Sequence, residues 1–288
     1  MNGKEIISLL EKSKELPKIN RNVLEIISLI DSTEKINMDV LAEKIERCGS
    51  LKYDLLANVN SGYFKLKRTV NSLPEAVMYL GAKSVERMII AHLVKSVIPD
   101  NIGRAKFLNR EKYWKHSLGT SIAANILAEK LGYNDKYKYF AYGLIHDIGA
   151  VVLDICLPDI VDEVVLKQRK GLHQIVAERL IMEGFTHEQA GAWQCEKLAL
   201  PDDIKAVVTH HHTPLEAKEY KDEVYIMSVA DSISSLYYER LLCMNTRYVL
   251  NRKVMEVLGV TDDDIEEISM MLPERVEEAY TQFNFSVL

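Results

Sequence analysis

Residues 117–131 read SLGTSIAANILAEKL. Leu118, Ile122 and Ile126 stand four apart, with Ala123 and Leu127 beside them. That repeat lays apolar side chains along one face of a helix, whereas a half-buried strand would alternate them every second residue. The segment closes on Lys130-Leu131-Gly132, a cation at the negative end of the helix dipole followed by a glycine stop. The same spacing recurs upstream at Val23, Ile26, Ile27 and Ile30. Helix starts are frequent too. Ser72…Glu75 and Thr186…Gln189 have capping-box spacing, in which the hydroxyl and the third side chain satisfy free backbone donors. Pro201-Asp202-Asp203, and Thr261 with three Asp behind it, put proline or acids where a helix begins. Strand signals are scarce, and VVLDICL (151–157) fits a short strand and a buried helix segment equally. The expectation is an all-α, multi-helical fold of helices joined by short loops.

Composition agrees. The 288 residues hold 13 Gly and 7 Pro, well under the usual frequencies of about 7% and 5%. So few turn-makers argue against a sandwich or barrel and exclude collagen-like and linker-rich classes. The net charge is −6, so no bulk basic field exists to grip nucleic acid. Residues 1–100 carry 15 Lys and Arg against 13 Asp and Glu, which leaves 21 against 29 for the remainder. Residues 38–64 superficially resemble a helix-turn-helix about Cys48-Gly49-Ser50, with Lys52, Lys65, Lys67 and Arg68 nearby. With so small a positive excess they read as an ordinary helix pair, and nucleic acid is not an expected partner.

The clearest loop cluster, PDNIGR at 99–104, divides the chain. We expect two lobes: an N-terminal helical lobe over 1–100, a second over 101–260, and a terminal helix over 261–288. Cys48, Cys156, Cys195 and Cys243 stand far apart and read as thiols in a reducing compartment. The start, MNGKEIISLLEKSKELP, threads charges through its apolar residues, unlike a signal peptide. The longest apolar run, AVVLDICLPDIV (150–161), is broken by two Asp and a Pro and is too short for a membrane span. A cytoplasmic location with no membrane contact is the expectation.

Chemistry is concentrated in the histidines. Seven of the eight fall between 116 and 212. Six lie in segments of recognisable spacing: His116 in YWKHSLG, His146-Asp147 in GLIHDIG, His187 in FTHEQAGAW, and His210, His211 and His212 in THHHTP, with Asp231 following in SVADSISS. An adjacent His-Asp offers an imidazole and a carboxylate to one ion, and the carboxylate can bridge to a second. Imidazole and carboxylate without thiolate suit Fe, Mn, Ni, Co or Zn rather than Ca or Mg. Two such ions can clamp a phosphate and activate a bridging water. His92 and His173 have no partner pattern and read as structural or surface residues.

The order H…HD…H…HH…D over 116–231 resembles the HD superfamily of metal-dependent phosphohydrolases. The chain over about 14–214 resembles its HDOD branch, the HD-related output domain of bacterial signalling proteins. LPKINRNVLEIISLI (16–30), MDVLAEKIERCGSLKYDLLANVNSGYF (38–64, with its Asn60-Ser61 pair) and RTVNSLPEAVMYLGAKSVERMII (68–90) carry that likeness. So do GLIHDIGAVVL, the H-x-x-x-G-A segment, Leu200-Pro201 and HHTP. The resemblance implies a two-lobed HD-like architecture. It implies that His116, His146, Asp147 and Asp231 match the core metal ligands, and that His187, His211 and His212 match the extra ligands of multinuclear members. His210 is the spare of the triplet. HDOD proteins are generally non-catalytic, so the resemblance implies a regulatory output module that meets signalling proteins, with one or two divalent transition ions in its pocket. The alternative is a metal-dependent phosphohydrolase acting on a nucleotide or phosphodiester, with a phosphorylated small ligand. Ala150 stands where the related HD-GYP enzymes carry a lysine, and HHTP runs into LEAKEYKDE without a GYP signature. Cyclic di-GMP hydrolysis by that route is therefore not expected.

Overall fold

Helix α5 (Arg110–Lys130) is the axis of the fold, and every residue from His116 to Asn125 on it is buried. The stripe of Leu118, Ile122 and Leu127 is only part of the reason. Small side chains at Ser117, Gly119, Ser121 and Ala124 cover the other faces, so α6 (Lys136–Ile145), α12 (Lys221–Leu241) and α14 (Asp262–Gln282) pack around it together. The computed structural model describes residues 1–14, 16, 25–26, 29, 37–46, 51–60, 66–82, 84–86, 88–89, 105–241 and 250–282. Among these are fourteen α-helices and no strand, as the periodicity predicts.

In chain order the first four helices are α1 (Gly3–Lys12), α2 (Met38–Glu46), α3 (Leu51–Val59) and α4 (Leu73–Leu80). Helices α2, α3 and α4 pack on one another, and their Leu41, Ile45, Leu55, Val59 and Leu73 join the main apolar core with α5 and α12. Asn60 closes the loop after α3, accepting from Val70 N and donating to Val70 O, both at 2.7 Å. Helix α1 lies apart from this group. Its Ile6 and Leu10 pack with Val152, Leu153, Met182 and Phe185 in a second apolar cluster.

After α6 the chain breaks at His146-Asp147 and resumes as α7 (Ile148–Cys156), α8 (Pro158–Gln168), α9 (Gln174–Ile181), α10 (His187–Lys197) and α11 (Asp202–His210). A 3-10 turn (Pro214–Glu216) leads to α12, then α13 (Arg252–Leu258) and α14. VVLDICL is thus helical, in α7, and its Val152, Leu153 and Ile155 are buried. Lys136–Cys156 is apolar and long enough to cross a membrane, but 83% of its most apolar stretch is buried inside the fold. Its hydropathy is that of a core segment.

The predicted starts hold with one variation. Ser72 caps α4 by accepting from Glu75 N at 3.3 Å, but the Glu75 carboxylate accepts from Asn71 N instead of completing the box. At Thr186 the Gln189 side chain accepts from the cap N–H at 2.7 Å. Helix α11 begins at Asp202, where Asp203 turns inward to accept from the Tyr142 hydroxyl at 2.6 Å. Cys156 and Cys195 are free thiols. Most of the 16–30 helix, the Cys48–Ser50 turn, the 99–104 loop, His92 and Cys243 lie outside the described residues.

Two crossings decide how closely the helices approach. A Cβ on Gly143 of α6 would stand 2.4 Å from the Ser121 Cα of α5. One on Gly149 of α7 would stand 1.9 Å from the His187 carbonyl oxygen and 2.5 Å from Gly191 N, both of α10. The opposing atoms are backbone, so no side-chain rotation relieves the clash. Gly149→Ala is expected to destabilise the fold by about 3 kcal/mol, at the upper end for overpacking, read as a lower urea midpoint.

At the other end of α5, Lys130 pairs with Asp264 and Glu267 of α14. Asp264 also accepts from Thr261 N at 2.8 Å and from the Thr261 hydroxyl at 2.7 Å. The Lys130 ammonium first, then the Thr261 donors, hold the Asp264 carboxyl down at about 2. A depressed pKa contributes stability above the unfolded value and loses it as pH falls through the folded one. Asp264→Asn should therefore lower the urea midpoint at neutral pH, and the gap should close as pH falls from about 4 towards about 2. Asp264 is half-buried but its partner Lys130 is exposed to solvent, so screening should keep the gap small.

Candidate metal centre

Five separate elements deliver the seven predicted residues to one place. His116 comes from the second turn of α5 and Asp231 from the middle of α12. His146 and Asp147 occupy the break between α6 and α7. In an unbroken helix neighbouring side chains diverge by about 100°. Here Asp147 adopts φ −95°, ψ 18°, the bridge region between helical and extended backbone, and both side chains reach the same spot. His187 opens α10, while His211 and His212 leave the end of α11. His146, His187 and His211 are at most 1% exposed, and Asp231 is 2% exposed.

The nitrogens and oxygens fall into two groups that share Asp147. In the first, His116 Nε2 lies 3.2 Å from Asp231 Oδ1, 3.5 Å from Asp147 Oδ2 and 3.3 Å from His146 Nε2. His146 Nε2 is 3.6 Å from each of the same two oxygens. In the second, Asp147 Oδ1 lies 3.1 Å from His187 Nε2 and 3.4 Å from His211 Nε2, and these nitrogens are 3.2 Å apart. His212 joins the second group and sets its Nδ1 3.4 Å from Asp231 Oδ2. His210 remains outside, 3.5 Å from the Thr213 hydroxyl. His173 is nearer than its sequence context suggested, with its ring centroid 6.1 Å from that of His212.

This donor set fits metal ions. Nitrogens and oxygens at about 2.0–2.2 Å from a shared ion stand about 3.0–3.6 Å from one another, and both groups have that spacing. The outer nitrogens are committed elsewhere. His146 Nδ1 donates to Gly143 O at 2.9 Å, and His211 Nδ1 donates to Val208 O at 3.1 Å. His187 Nδ1 donates to the Glu178 carboxylate at 2.9 Å. Each ring therefore presents an Nε2 lone pair to its group, the tautomer a metal requires. Asp147 Oδ1 and Asp231 Oδ2 are buried and accept no well-directed hydrogen bond. Two imidazole lone pairs facing each other, and a carboxylate oxygen without a donor, are satisfied by a proton or a cation.

Electrostatics agrees. Among the described residues no Lys or Arg ion-pairs with either carboxylate. Burial pushes Asp147 and Asp231 up, but the imidazoles around them win and hold both well below the usual carboxylate range. Burial pushes the histidines down, yet the two carboxylates raise His116 to about 9. Glu178 and Asp147 similarly raise His187. His211 is also raised by Asp147, whereas burial and the neighbouring His211 hold His212 well below its ordinary value. The carboxylates thus collect protons on their neighbours, and a divalent cation bound there releases those protons.

Sequence reading missed the supporting residues. Glu178 of α9 is 3% exposed, accepts from both His187 Nδ1 and His187 N, and receives Gln174 Nε2 at 3.0 Å. Glu188, also buried, accepts from His212 N at 3.0 Å. The acid beside a histidine motif carries no sequence spacing of its own; a charged residue on the apolar side of α9 was the available signal. Glu178→Ala is expected to weaken divalent-metal affinity about 10- to 100-fold, measured by competition with a chromophoric chelator, with Glu178→Gln falling between.

A cavity of about 380 Å³ opens onto the cluster. His116, Asp147, His212 and Asp231 form its floor, and Phe107, Asn109 and Arg169 stand at its mouth. The cavity thus lies against a buried His/Asp group that could bind metal.

Comparison with known proteins agrees with this architecture. A relative of uncharacterised role from Treponema pallidum (strain Nichols) is 26% identical over 237 residues, covering 78% of this chain and 43% of the relative. The chain spans less than half the length of the curated relatives it matches. A candidate signal transduction protein from Marinobacter aquaeolei VT8 has a TM-score of 0.74 at 18% identity, covering 99% of this chain and 65% of that one. A candidate phosphohydrolase from Shewanella amazonensis SB2B has a TM-score of 0.71 at 18% identity, covering 96% and 98%. At such identities these structures share the fold. The HDOD domain model matches residues 16–214, more than half of the sequence, and the chain belongs to the HDOD family.

Proposed function

We propose that the chain is a metal-binding regulatory module of bacterial signal transduction, working in the cytoplasm. Its His/Asp centre binds divalent transition ions and an anionic, phosphorylated ligand, and its output passes to protein partners. One observation carries this reading: the two oxygens of Asp147 face two separate sets of imidazole nitrogens. His116, His146, Asp147 and Asp231 would hold one ion, and Asp147, His187, His211 and His212 a second. The donor chemistry suits Fe, Mn, Ni, Co or Zn. Bound there, such ions supply Lewis acidity and positive charge to an anionic oxygen. The chain's own groups do the rest. Glu178 fixes the His187 ring, Glu188 fixes the His212 backbone, and the buried floor keeps bulk water from competing. The description of the Marinobacter protein as a candidate signalling protein supports the regulatory part.

The second reading is a metal-dependent phosphohydrolase acting on a nucleotide or phosphodiester. Asp147 favours it, since ions held by the two groups its oxygens face would supply the Lewis acidity that phosphoester hydrolysis uses. The cavity favours binding over turnover. Among its described lining residues Arg169 is the sole Lys or Arg, and it stands at the exposed mouth over the Phe107 ring. Among the described residues no Lys or Arg lies beside the cluster to neutralise a phosphoryl group, and Ala150 lines the cavity there.

Metal analysis of protein purified without added metal, beside a His146→Ala/Asp147→Ala variant, tests both readings. The proposal predicts at least one transition ion per chain, a loss of more than about tenfold in metal affinity for the variant, and no metal-stimulated hydrolysis of a phosphodiester and nucleotide panel. Metal-dependent turnover that disappears in the variant would establish the hydrolase instead. Equal, negligible metal in both proteins would overturn the metal centre.

A further inference from the structure

Much of the cavity wall takes no part in the His/Asp chemistry. Between floor and mouth it is built from Leu153 of α7, Ile160, Val161, Val164 and Val165 of α8, and Met182 after α9. The five aliphatic side chains neither donate nor accept hydrogen bonds, and the Met182 thioether is only a weak acceptor. Val164 and Val165 are 5% and 9% exposed, yet they belong to neither apolar core cluster. They are withdrawn from solvent and turned toward the cavity.

Polar side chains also line the cavity, and Gln168 of α8 among them donates to Gln174 at 3.5 Å. Tyr113 lines the cavity, but its hydroxyl donates to the Asp147 carbonyl at 3.3 Å, and Gln174 donates to Glu178. A nucleoside laid against Leu153, Ile160, Val161, Val164 and Val165 would set ribose hydroxyls and base edges on side chains that offer them no hydrogen bond, which disfavours it. A hydrocarbon chain would instead gain about 0.8 kcal/mol per buried methylene. The volume, about 380 Å³, falls at the small end of ligand sites, which span about 300–1,000 Å³.

We infer that the ligand is a single-chain amphiphile, with an anionic oxygen headgroup on the His/Asp floor and a hydrocarbon tail along the α8 wall. The inference rests on the proposed binding of an anionic ligand at the centre, and it adds the chemical class of that ligand.

Calorimetry on the full chain, both loaded with Mn²⁺ and metal-stripped, tests it with inorganic phosphate, butyl, hexyl and octyl phosphate, octanoate and AMP. Affinity for the alkyl phosphates should rise about two- to fourfold per added methylene, and AMP should bind no tighter than inorganic phosphate. Octanoate binding as tightly as octyl phosphate would show that the floor takes any anionic oxygen head and would overturn a phosphate-specific one; weaker binding would assign the head to phosphates. Val165→Phe, which fills the cavity, should cut octyl phosphate affinity at least tenfold while sparing Mn²⁺ and inorganic phosphate. Val161→Asn, half-exposed and milder, should show the same order if the first variant folds poorly. Chain-length dependence without Mn²⁺ binding would leave the amphiphile site standing and remove the metal centre. Mn²⁺ and phosphate binding without chain-length dependence, or AMP binding tighter than octyl phosphate, would overturn the amphiphile.

Discussion

The approach of α7 to α10 at Gly149 and Gly191 is the constraint on which the rest of the structure depends. Asp147 stands two residues before Gly149, and His187 four residues before Gly191. A short backbone-to-backbone distance at the crossing therefore becomes a short carboxylate-to-imidazole distance at the centre. A Cβ here would meet the His187 carbonyl itself, so enlarging Gly149 moves the very residue that carries the ring. The other crossings work alike. Gly143 lets α6 lie on the Ser121 backbone, which sets His146 beside His116, and Gly119 faces Ser234, whose hydroxyl holds the His116 carbonyl at 2.7 Å. Close-packed helices transmit such distances because their interiors leave little room for adjustment.

Bringing seven ionisable groups into one buried place carries a desolvation cost that the fold must offset. It does so by dividing labour around each ring. On His146, His187 and His211 one imidazole nitrogen is tied to a carbonyl or to Glu178, and the other faces the centre. What remains is negative charge on Asp147 and Asp231 that, among the described residues, meets imidazoles and the Ser235 hydroxyl but no Lys or Arg. Such a group is satisfied by protons on the imidazoles or by cations that take their place. The apolar wall beside it sharpens the effect, since low polarity strengthens the attraction for any charge that does enter.

Much of this was legible in the chain. Helical periodicity and caps placed α5, α10, α11 and α14 because local spacing dictates them, and the ordered histidines pointed to the centre. Other parts depend on tertiary contact and left weaker marks. VVLDICL could be read either way because a segment buried on several sides loses its periodic signature. The stripe on α5 suggested one buried face, whereas its small residues bury nearly the whole circumference. Glu178 and Glu188 resemble ordinary helix acids until α9 and α10 fold them inward. Helix α1, first in the chain, packs against α7 through Ile6 and Leu10, a contact that sequence distance conceals.

The central claim is that one carboxylate links two cation positions. Anomalous diffraction from crystals grown with Mn²⁺ addresses it most directly. The account predicts two peaks about 3.5–4 Å apart, one on each side of the Asp147 carboxylate. Absence of anomalous density at this cluster, or a single peak whose ligands omit Asp147, would contradict it.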